Sequence, residues 1–313
     1  MAPVMTSCKG ASDCHFSDPV SARHTIRNQT FEAMFQPLAG GRMLSLRHAD
    51  HGDLIVPLRD ASFPPAQWPK AGAFPLFPFH NRVRNAAFRL NGRKIQLSAN
   101  AANGLDTMHG PAHQRPWHVT DKGTSFIAME LVFAPDHDWP YHFTATQRFE
   151  LHEDQLIVAL ELTNSGNVNM PGGLGWHPYF QPAYDGQVFT DAKTQWQENH
   201  ETNQPEAFEP PHCIESCALQ FGITEHFANW SKATAQIGVG TTIMLSATSG
   251  LSHLTLLRQK DYLCIEPTSH VAGAFATLPE PTAETGLCIL SPGQTITGTV
   301  TLQVNRSDTS NKP

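Results

Sequence analysis

Four segments of the sequence place polar side chains among glycine, proline and aromatic residues. They are residues 77–84 (FPFHNRVR), 103–117 (NGLDTMHGPAHQRPW), 170–180 (MPGGLGWHPYF) and 263–270 (LCIEPTSH). Each contains a histidine, carboxylate or arginine that can exchange a proton or bind a polar ligand. The side chains best suited to acid–base chemistry are therefore concentrated in these segments.

The last of these segments predicts a carboxylate at the end of a strand. Alternation puts Cys264 and Glu266 on the face opposite to Leu263. Because Pro267 has no N–H for a ladder, we expect the strand to end at Glu266. Semi-apolar neighbours would raise the pKa of this carboxyl group, which suits a general base near neutral pH. The competing interpretation is a solvated glutamate at a strand end.

The third segment surrounds a histidine with apolar side chains. His177 lies between Trp176 and Pro178, and Tyr179 and Phe180 follow it. A buried histidine must find hydrogen-bond partners within the protein, or its burial destabilises the fold. It is either a hydrogen-bonded core histidine or a proton donor with a pKa near 7.

Two other segments offer side chains that could hold a polar ligand. Arg82 and Arg84 are two residues apart, so in an extended segment they face the same way and could bind hydroxyls or an anion. His109 lies in a loop rich in glycine and proline, followed by His113 and His118. Their spacing does not match a helical zinc motif, and we predict no metal site.

The composition excludes several classes of protein. With 40% hydrophobic residues, the 313-residue chain can bury a core, which excludes wholesale disorder. The net charge is −7 with histidine neutral, and no basic block is present, so we expect no nucleic acid and no membrane partner. The sequence has no long apolar span, no secretory signal and no C-x-x-C pair, so we expect a cytoplasmic protein with reduced thiols.

Hydrophobic alternation predicts that β-strands position these segments. Residues 296–304 alternate apolar and polar side chains, and residues 149–162 form a hairpin pattern. Helical patterns are weak and short, at residues 227–237 and 282–286. The Pro-rich stretch 63–79 is expected to be a long loop. The predicted fold class is therefore all-β, built from two large packed sheets or a barrel.

The chain is expected to form one domain. Residues 1–25 lack periodicity and predict an irregular lead-in, and residues 306–313 predict a polar tail. The single β-domain would span residues 26–305.

Together, the four segments resemble the aldose 1-epimerase (galactose mutarotase) family. The family's P-x-x-N-R, H-G, P-x-G-x-G-x-H-P-Y-F and E-P motifs are similar, in the same order, to residues 78–82, 109–110, 171–180 and 266–267. The resemblance covers roughly residues 30–303. It implies a large antiparallel β-sandwich, often called a supersandwich.

The resemblance also implies a role for each matched residue. Glu266 would be the general base that takes the proton from the anomeric hydroxyl, and His177 the general acid that protonates the ring oxygen. Asn81, Arg82 and His109 would hold the hydroxyls and ring of a small-molecule sugar, without a metal or cofactor. The implied enzyme is an isomerase that interconverts the α and β anomers of a free aldose. An ionised glutamate and a protonated histidine would support each other's charge near pH 7.

One position departs from the family pattern. The family commonly has an aspartate in a Leu-Asp-x-x-Phe stretch, and the matching position here is Thr224, followed by Glu225. Alternation would aim Glu225 away from the site if the segment is extended. The departure bears on which sugar is preferred.

Two alternatives remain open at this point. A hexose-phosphate 1-epimerase would need a cationic pocket, which Arg82, Arg84 and Arg115 could supply. A non-catalytic carbohydrate-binding module would bind sugar on the same fold without turning it over.

Overall fold

The computed structural model describes residues 23–60, 68–199, 202, 204–209 and 217–305. The predicted tail, 306–313, and most of the predicted lead-in lie outside the described residues. The first strand begins at His24, so the last two residues of the predicted lead-in already belong to a sheet.

The regular structure of the described residues consists of β-strands joined by loops and short 3-10 turns. The first thirteen strands are β1 (His24–Arg27), β2 (Phe31–Gln36), β3 (Arg42–His48), β4 (Gly52–Asp53), β5 (Ala73–Leu76), β6 (Arg82–Val83), β7 (Ala87–Leu90), β8 (Arg93–Gln96), β9 (Thr107–Met108), β10 (His118–Lys122), β11 (Phe126–Phe133), β12 (Phe143–His152) and β13 (Gln155–Thr163). The other thirteen are β14 (Met170–Gly172), β15 (Gly175–Phe180), β16 (Ala183–Thr190), β17 (Thr194–Glu198), β18 (Pro205–Phe208), β19 (Cys217–Ala218), β20 (Thr224–Ala228), β21 (Lys232–Ile237), β22 (Thr241–Ala247), β23 (His253–Arg258), β24 (Leu263–Thr268), β25 (Cys288–Leu290) and β26 (Thr295–Asn305). No helix in the described part of the chain has the length and apolarity needed to cross a membrane.

Two large antiparallel sheets contain most of these strands. The first has the order β1-β2-β3-β5-β15-β24-β23-β20-β17-β18, with β4 paired to β3. The second has the order β10-β11-β12-β13-β26-β22-β21-β16-β19. Central ladders such as β12 with β13 and β15 with β24 are antiparallel. The predicted all-β fold, a large antiparallel sandwich, is confirmed.

Period-two sequence patterns explain how the two sheets pack. Along β12, buried and partly exposed residues alternate from Phe143 onward, as the predicted hairpin requires. The ring centroids of Phe35 in the first sheet and Phe149 in the second are 4.8 Å apart, so the core lies between the sheets. Burial of each such ring stabilises the fold by roughly 1.5–3 kcal/mol.

Three local predictions were wrong. Residues 227–237 form the end of β20 and all of β21 instead of a helix, because Ala233, Ala235 and Ile237 alternate into the core. Residues 282–286 contain only a 3-10 turn, Ala283–Thr285. The predicted loop 63–79 contains β5, whose four residues are all buried where the strand pairs with β3 and β15.

The core holds an unusual set of uncharged histidines. Burial lowers the pKa of His80, His109, His113, His177, His253 and His270 below the ordinary value of 6.5. These histidines stay neutral in the folded protein at a pH where the unfolded chain already binds protons. The stability that these neutral histidines contribute should therefore be fully present above about pH 6.5 and fall as the pH drops below it.

We expect the free energy of unfolding to drop by several kcal/mol between pH 7.5 and pH 5.5. Each neutral buried histidine contributes up to about 1.4 kcal/mol per pH unit below 6.5. Urea unfolding at the two pH values measures the difference. His80→Leu should weaken the pH dependence, whereas His118→Gln, at an exposed position of β10, should leave it unchanged. Equal unfolding free energies at both pH values would contradict this prediction.

Candidate active site

The register between β15 and β24 builds the floor of the site. Gly175 lies opposite Thr268 and Tyr179 opposite Cys264, so the residue midway between them on each strand faces its counterpart. Those midway residues are His177 and Glu266. Alternation within β24 is as predicted, because Leu263 and Ile265 belong to the main core whereas Cys264 packs on the other face, with Tyr179.

A glycine allows the two strands to approach this closely. A Cβ atom on Gly175 would lie 2.9 Å from the Pro267 carbonyl oxygen, closer than real Cβ contacts occur. The predicted end of β24 at Glu266 was wrong, and the strand continues through Pro267 to Thr268. Pro267 lies opposite Leu254 of β23, and Thr268 pairs with Gly175 on one side and with His253 on the other.

His177 and Glu266 form a direct contact in this floor. The Nε2 atom of His177 lies 3.3 Å from Oε1 of Glu266, and the two residues are 5% and 3% exposed. His177 Nδ1 and Glu266 Oε2 are buried without a hydrogen-bond partner among the described residues. The fold therefore leaves two buried polar atoms of the pair without a protein partner, which destabilises it locally.

Burial sets the protonation of this pair. It raises the pKa of Glu266 to about 8 and lowers the pKa of His177 well below its usual value. The unliganded pocket therefore favours a protonated glutamate and a neutral histidine, contrary to the ionised pair expected from the sequence. Whether the titratable proton is on Glu266 or on His177, the pair holds one such proton and has no net charge.

Packing with aromatic rings fixes the orientation of His177. Its ring stacks on Phe74, with centroids 4.5 Å apart, and lies 4.6 Å from the Tyr179 ring. The buried Arg42 guanidinium lies over the same Phe74 ring, 4.7 Å from its centroid, and burial lowers the pKa of Arg42 to about 10. These contacts hold the imidazole plane in place without a hydrogen bond to Nδ1.

A cavity of about 400 Å³ opens above this floor. Five of the seven site residues predicted from the sequence line it: Glu266, His177, Asn81, His109 and Thr224. Its volume is in the range of small-molecule binding sites. The structure thus brings together residues that are up to 185 positions apart in the sequence (81 to 266).

Asn81 and His109 hold each other in position across the β6–β9 ladder. The Asn81 N–H donates to Nδ1 of His109 at 3.2 Å, and the His109 N–H donates to the Asn81 carbonyl at 3.0 Å. Both residues have positive φ, 54° and 65°, which tight turns require. Burial, together with the nearby positive charges of Lys70 and Arg82, lowers the pKa of His109 to about 3. With Nδ1 accepting, the neutral ring carries its proton on Nε2 and can donate to a ligand.

The other two predicted residues do not line the cavity. Arg82 donates to Asp106 at 2.6 Å and lines a smaller neighbouring cavity of about 80 Å³. Glu225 lies one residue beyond Thr224 on β20, where Gln195 donates to its carboxylate at 3.4 Å. Because side chains alternate between the two faces of β20, Thr224 lines the cavity and Glu225 does not, as expected for an extended segment.

The structure adds lining residues that the sequence did not single out for this role. They are Trp68, Lys70, Ala101, Ala102, Met108, Tyr179, Thr255, Leu257 and Tyr262. Thr255 lies opposite Glu266 in β23, and Leu257 lies opposite both Cys264 and Thr224. The alternation of β23 could have indicated Thr255, but only the sheet order shows that this strand adjoins β24.

The metal site considered for the three loop histidines is not formed. Among the described residues, the group with the geometry of metal ligands is instead His177, Cys264 and Glu266, whose donor atoms lie within 4.8 Å of one another. His118 is exposed in β10. A soft divalent cation bound to the three atoms would compete for the acid–base pair, so activity assays should be made with and without a chelator.

The chain is similar in sequence to known proteins. The sequence model of the family described as aldose 1-epimerase matches residues 22–303. The uncharacterized Escherichia coli K12 proteins YphB and YihR are 33% and 26% identical to this chain over 131 and 127 residues. These matches span 42% and 40% of this chain and 44% and 40% of the relatives. The matched stretches thus cover less than half the length of either relative.

Solved structures share the fold over nearly the whole chain. A putative aldose 1-epimerase from Escherichia coli K12 superposes with a TM-score of 0.77 at 24% identity, covering 91% of this chain and 99% of its own. A galactose mutarotase-like protein from Clostridium acetobutylicum gives a TM-score of 0.78 at 19% identity, covering 91% and 95%. With the family model matching most of the sequence, this chain belongs to the aldose 1-epimerase family.

Proposed function

We propose that this protein is an aldose 1-epimerase that interconverts the α and β anomers of a free aldose. The observation that carries the proposal is the buried contact between His177 and Glu266 at the floor of the cavity. A general acid and a general base side by side are what the opening and closing of a cyclic hemiacetal requires.

The geometry of the pair suits the two oxygens of an anomeric centre. The anomeric hydroxyl and the ring oxygen are bonded to the same carbon, so they lie closer together than the 3.3 Å between His177 Nε2 and Glu266 Oε1. Each side chain can therefore reach one oxygen. Glu266 removes the hydroxyl proton while His177 protonates the ring oxygen, and the ring opens. After rotation about the C1–C2 bond, the reverse transfers close the ring on the other face.

Ring opening leaves the total number of protons on the His177–Glu266 pair unchanged. Opening moves a proton onto Glu266 and another from His177 to the ring oxygen, so the pair ends with the same number of protons as at the start. Burial penalises both charged forms in the unliganded pocket. Sugar oxygens that donate to Glu266 and accept from His177 would favour the ionised arrangement that starts the reaction.

The remaining lining residues hold the sugar over the pair. His109 donates through Nε2, and Asn81 and Thr224 offer amide and hydroxyl groups to sugar hydroxyls. Trp68 and Tyr262 supply aromatic surface for the apolar face of the sugar ring. With threonine at the position where the family commonly has aspartate, the site makes a weaker contact with one hydroxyl.

A binding module without catalysis is less consistent with this site. Binding alone would not need two buried titratable groups in contact, since their burial destabilises the fold.

The phosphate-binding alternative based on three arginines is not favoured either. Arg82 pairs with Asp106, Arg84 with Glu198, and Arg115 with Asp136 and Asp138.

Removal of either member of the pair should abolish most of the activity. We expect Glu266→Gln and His177→Asn each to lower kcat/KM for anomer exchange by roughly 10²–10⁴-fold, because each removes one proton-transfer group. Polarimetry or magnetisation-transfer NMR on freshly dissolved α-D-glucose and α-D-galactose measures the exchange rate.

Two matched controls separate catalysis from damage to the fold. Glu225→Gln removes a carboxylate from the same region but outside the cavity, and His118→Asn removes an exposed histidine. Both should keep wild-type rates, and thermal unfolding should show that all four variants fold. Sugar binding by folded wild type without faster anomer exchange would support the binding module and contradict the proposal.

The activity should depend on the single proton of the pair. Because the pKa of Glu266 is raised to about 8, the singly protonated pair persists through neutral pH and is lost above about pH 8. We expect kcat/KM, after subtraction of the spontaneous rate, to be level near pH 7 and to fall above about pH 8. A rate that rises tenfold per pH unit through this range would contradict the assignment.

A further inference from the structure

The cavity contains a positive charge that the mutarotase mechanism does not use. Lys70 lines the cavity, and its Nζ lies 4.6 Å from the centroid of the Trp68 ring. No carboxylate of the described residues lies within ion-pair distance of this ammonium group. The cation–π contact therefore holds the charge in place without neutralising it.

The cavity as a whole is positively charged. Apart from Glu266, Lys70 is the one ordinarily charged side chain among the described lining residues. The lowered pKa values of His109 and His177 keep both rings neutral, and the His177–Glu266 pair has no net charge in either arrangement. A neutral sugar would bind with the ammonium left unpaired, so the cavity is better matched to an anionic ligand.

Lys70 is more exposed than the acid–base pair, although its charge acts on both His177 and Glu266. His177 and Glu266 are buried at the floor, whereas Lys70 and Thr224 are exposed and lie at the rim. A sugar whose anomeric carbon contacts the floor directs its far side toward that rim. At the family's aspartate position, Thr224 leaves the rim without the negative charge that would repel an anion there.

We infer that Lys70 binds an anionic substituent, a carboxylate or phosphate, on the part of the aldose that faces the cavity rim. The inference rests on the proposed function and specifies its substrate class. The arginines considered from the sequence are already paired with carboxylates, so Lys70 supplies the charge in their place. Its exposure makes the attraction sensitive to salt.

Anomer exchange with sugars that differ in charge tests this inference. Wild type, Lys70→Met and Lys94→Met would be compared on glucose, galactose, glucuronate, galacturonate and glucose 6-phosphate. Lys94, exposed in β8 and outside the cavity, is the matched control. The uronates and the sugar phosphate distinguish a carboxylate from a phosphate as the group that is bound.

We expect wild type to have a higher kcat/KM for at least one anionic sugar than for its neutral counterpart. Lys70→Met should lower that value by roughly tenfold, mainly through KM, because it removes a charge-assisted hydrogen bond. The same variant should lower kcat/KM for the neutral sugars much less than for the anionic sugar, since Lys70 reaches the His177–Glu266 pair only through its charge. Lys94→Met should match wild type on all five. Raising the salt concentration from about 20 mM to about 500 mM, which shortens the screening length about fivefold, should reduce the advantage of the anionic sugar.

Three outcomes would overturn the inference. The first is a wild-type preference for neutral sugars. The second is an equal loss for neutral and anionic sugars in Lys70→Met, which would show that Lys70 acts on Glu266 instead of on the substrate. The third is no effect of Lys70→Met on the anionic sugars. Any of these leaves the proposed epimerase activity intact, whereas folded protein that accelerates none of the five sugars would contradict the proposed function itself.

Discussion

The antiparallel register between β15 and β24 is the constraint on which the site depends. It places His177 beside Glu266, with 3.3 Å between Nε2 of the histidine and Oε1 of the glutamate. A slip of one residue in either strand would turn one of these side chains to the opposite face, into the core between the sheets. Gly175 permits the close approach of the strands, and the large apolar core holds the register.

This arrangement buries polar groups at the floor of the cavity, at a cost in stability. His177 Nδ1 and Glu266 Oε2 are buried without protein hydrogen bonds, and each such group costs roughly 1–3 kcal/mol. Several further histidines are buried in neutral form around the site, among them His80 and His270, whose ring centroids are 4.7 Å apart. The large apolar core between the sheets must supply the stability that these groups remove.

The floor and the rim of the cavity differ in burial and in the kind of side chain that they contain. The floor consists of buried groups from β15 and β24, which are rigid and set the protonation of the acid–base pair. The rim consists of exposed or partly exposed side chains from loops and strand ends, such as Lys70, Thr224 and Tyr262. Substitutions at the rim disturb few core contacts, so the choice of sugar can change while the proton transfers stay the same.

The sequence by itself determined the all-β class and the faces of β24, because alternation acts over a few neighbouring positions. Its motifs also singled out Glu266, His177, Asn81, His109 and Thr224, which line the cavity. The sequence did not show that an ion pair with Asp106 holds Arg82 outside the cavity. It also did not single out Lys70, whose segment has no periodicity, as a lining residue. The raised pKa of Glu266 was expected from its neighbours, whereas the lowered pKa of His177 follows from a depth of burial that depends on all the strands around it. Which residues share a cavity, and with what charge, is set by sheet order and packing between distant parts of the chain, and only the tertiary structure decides these.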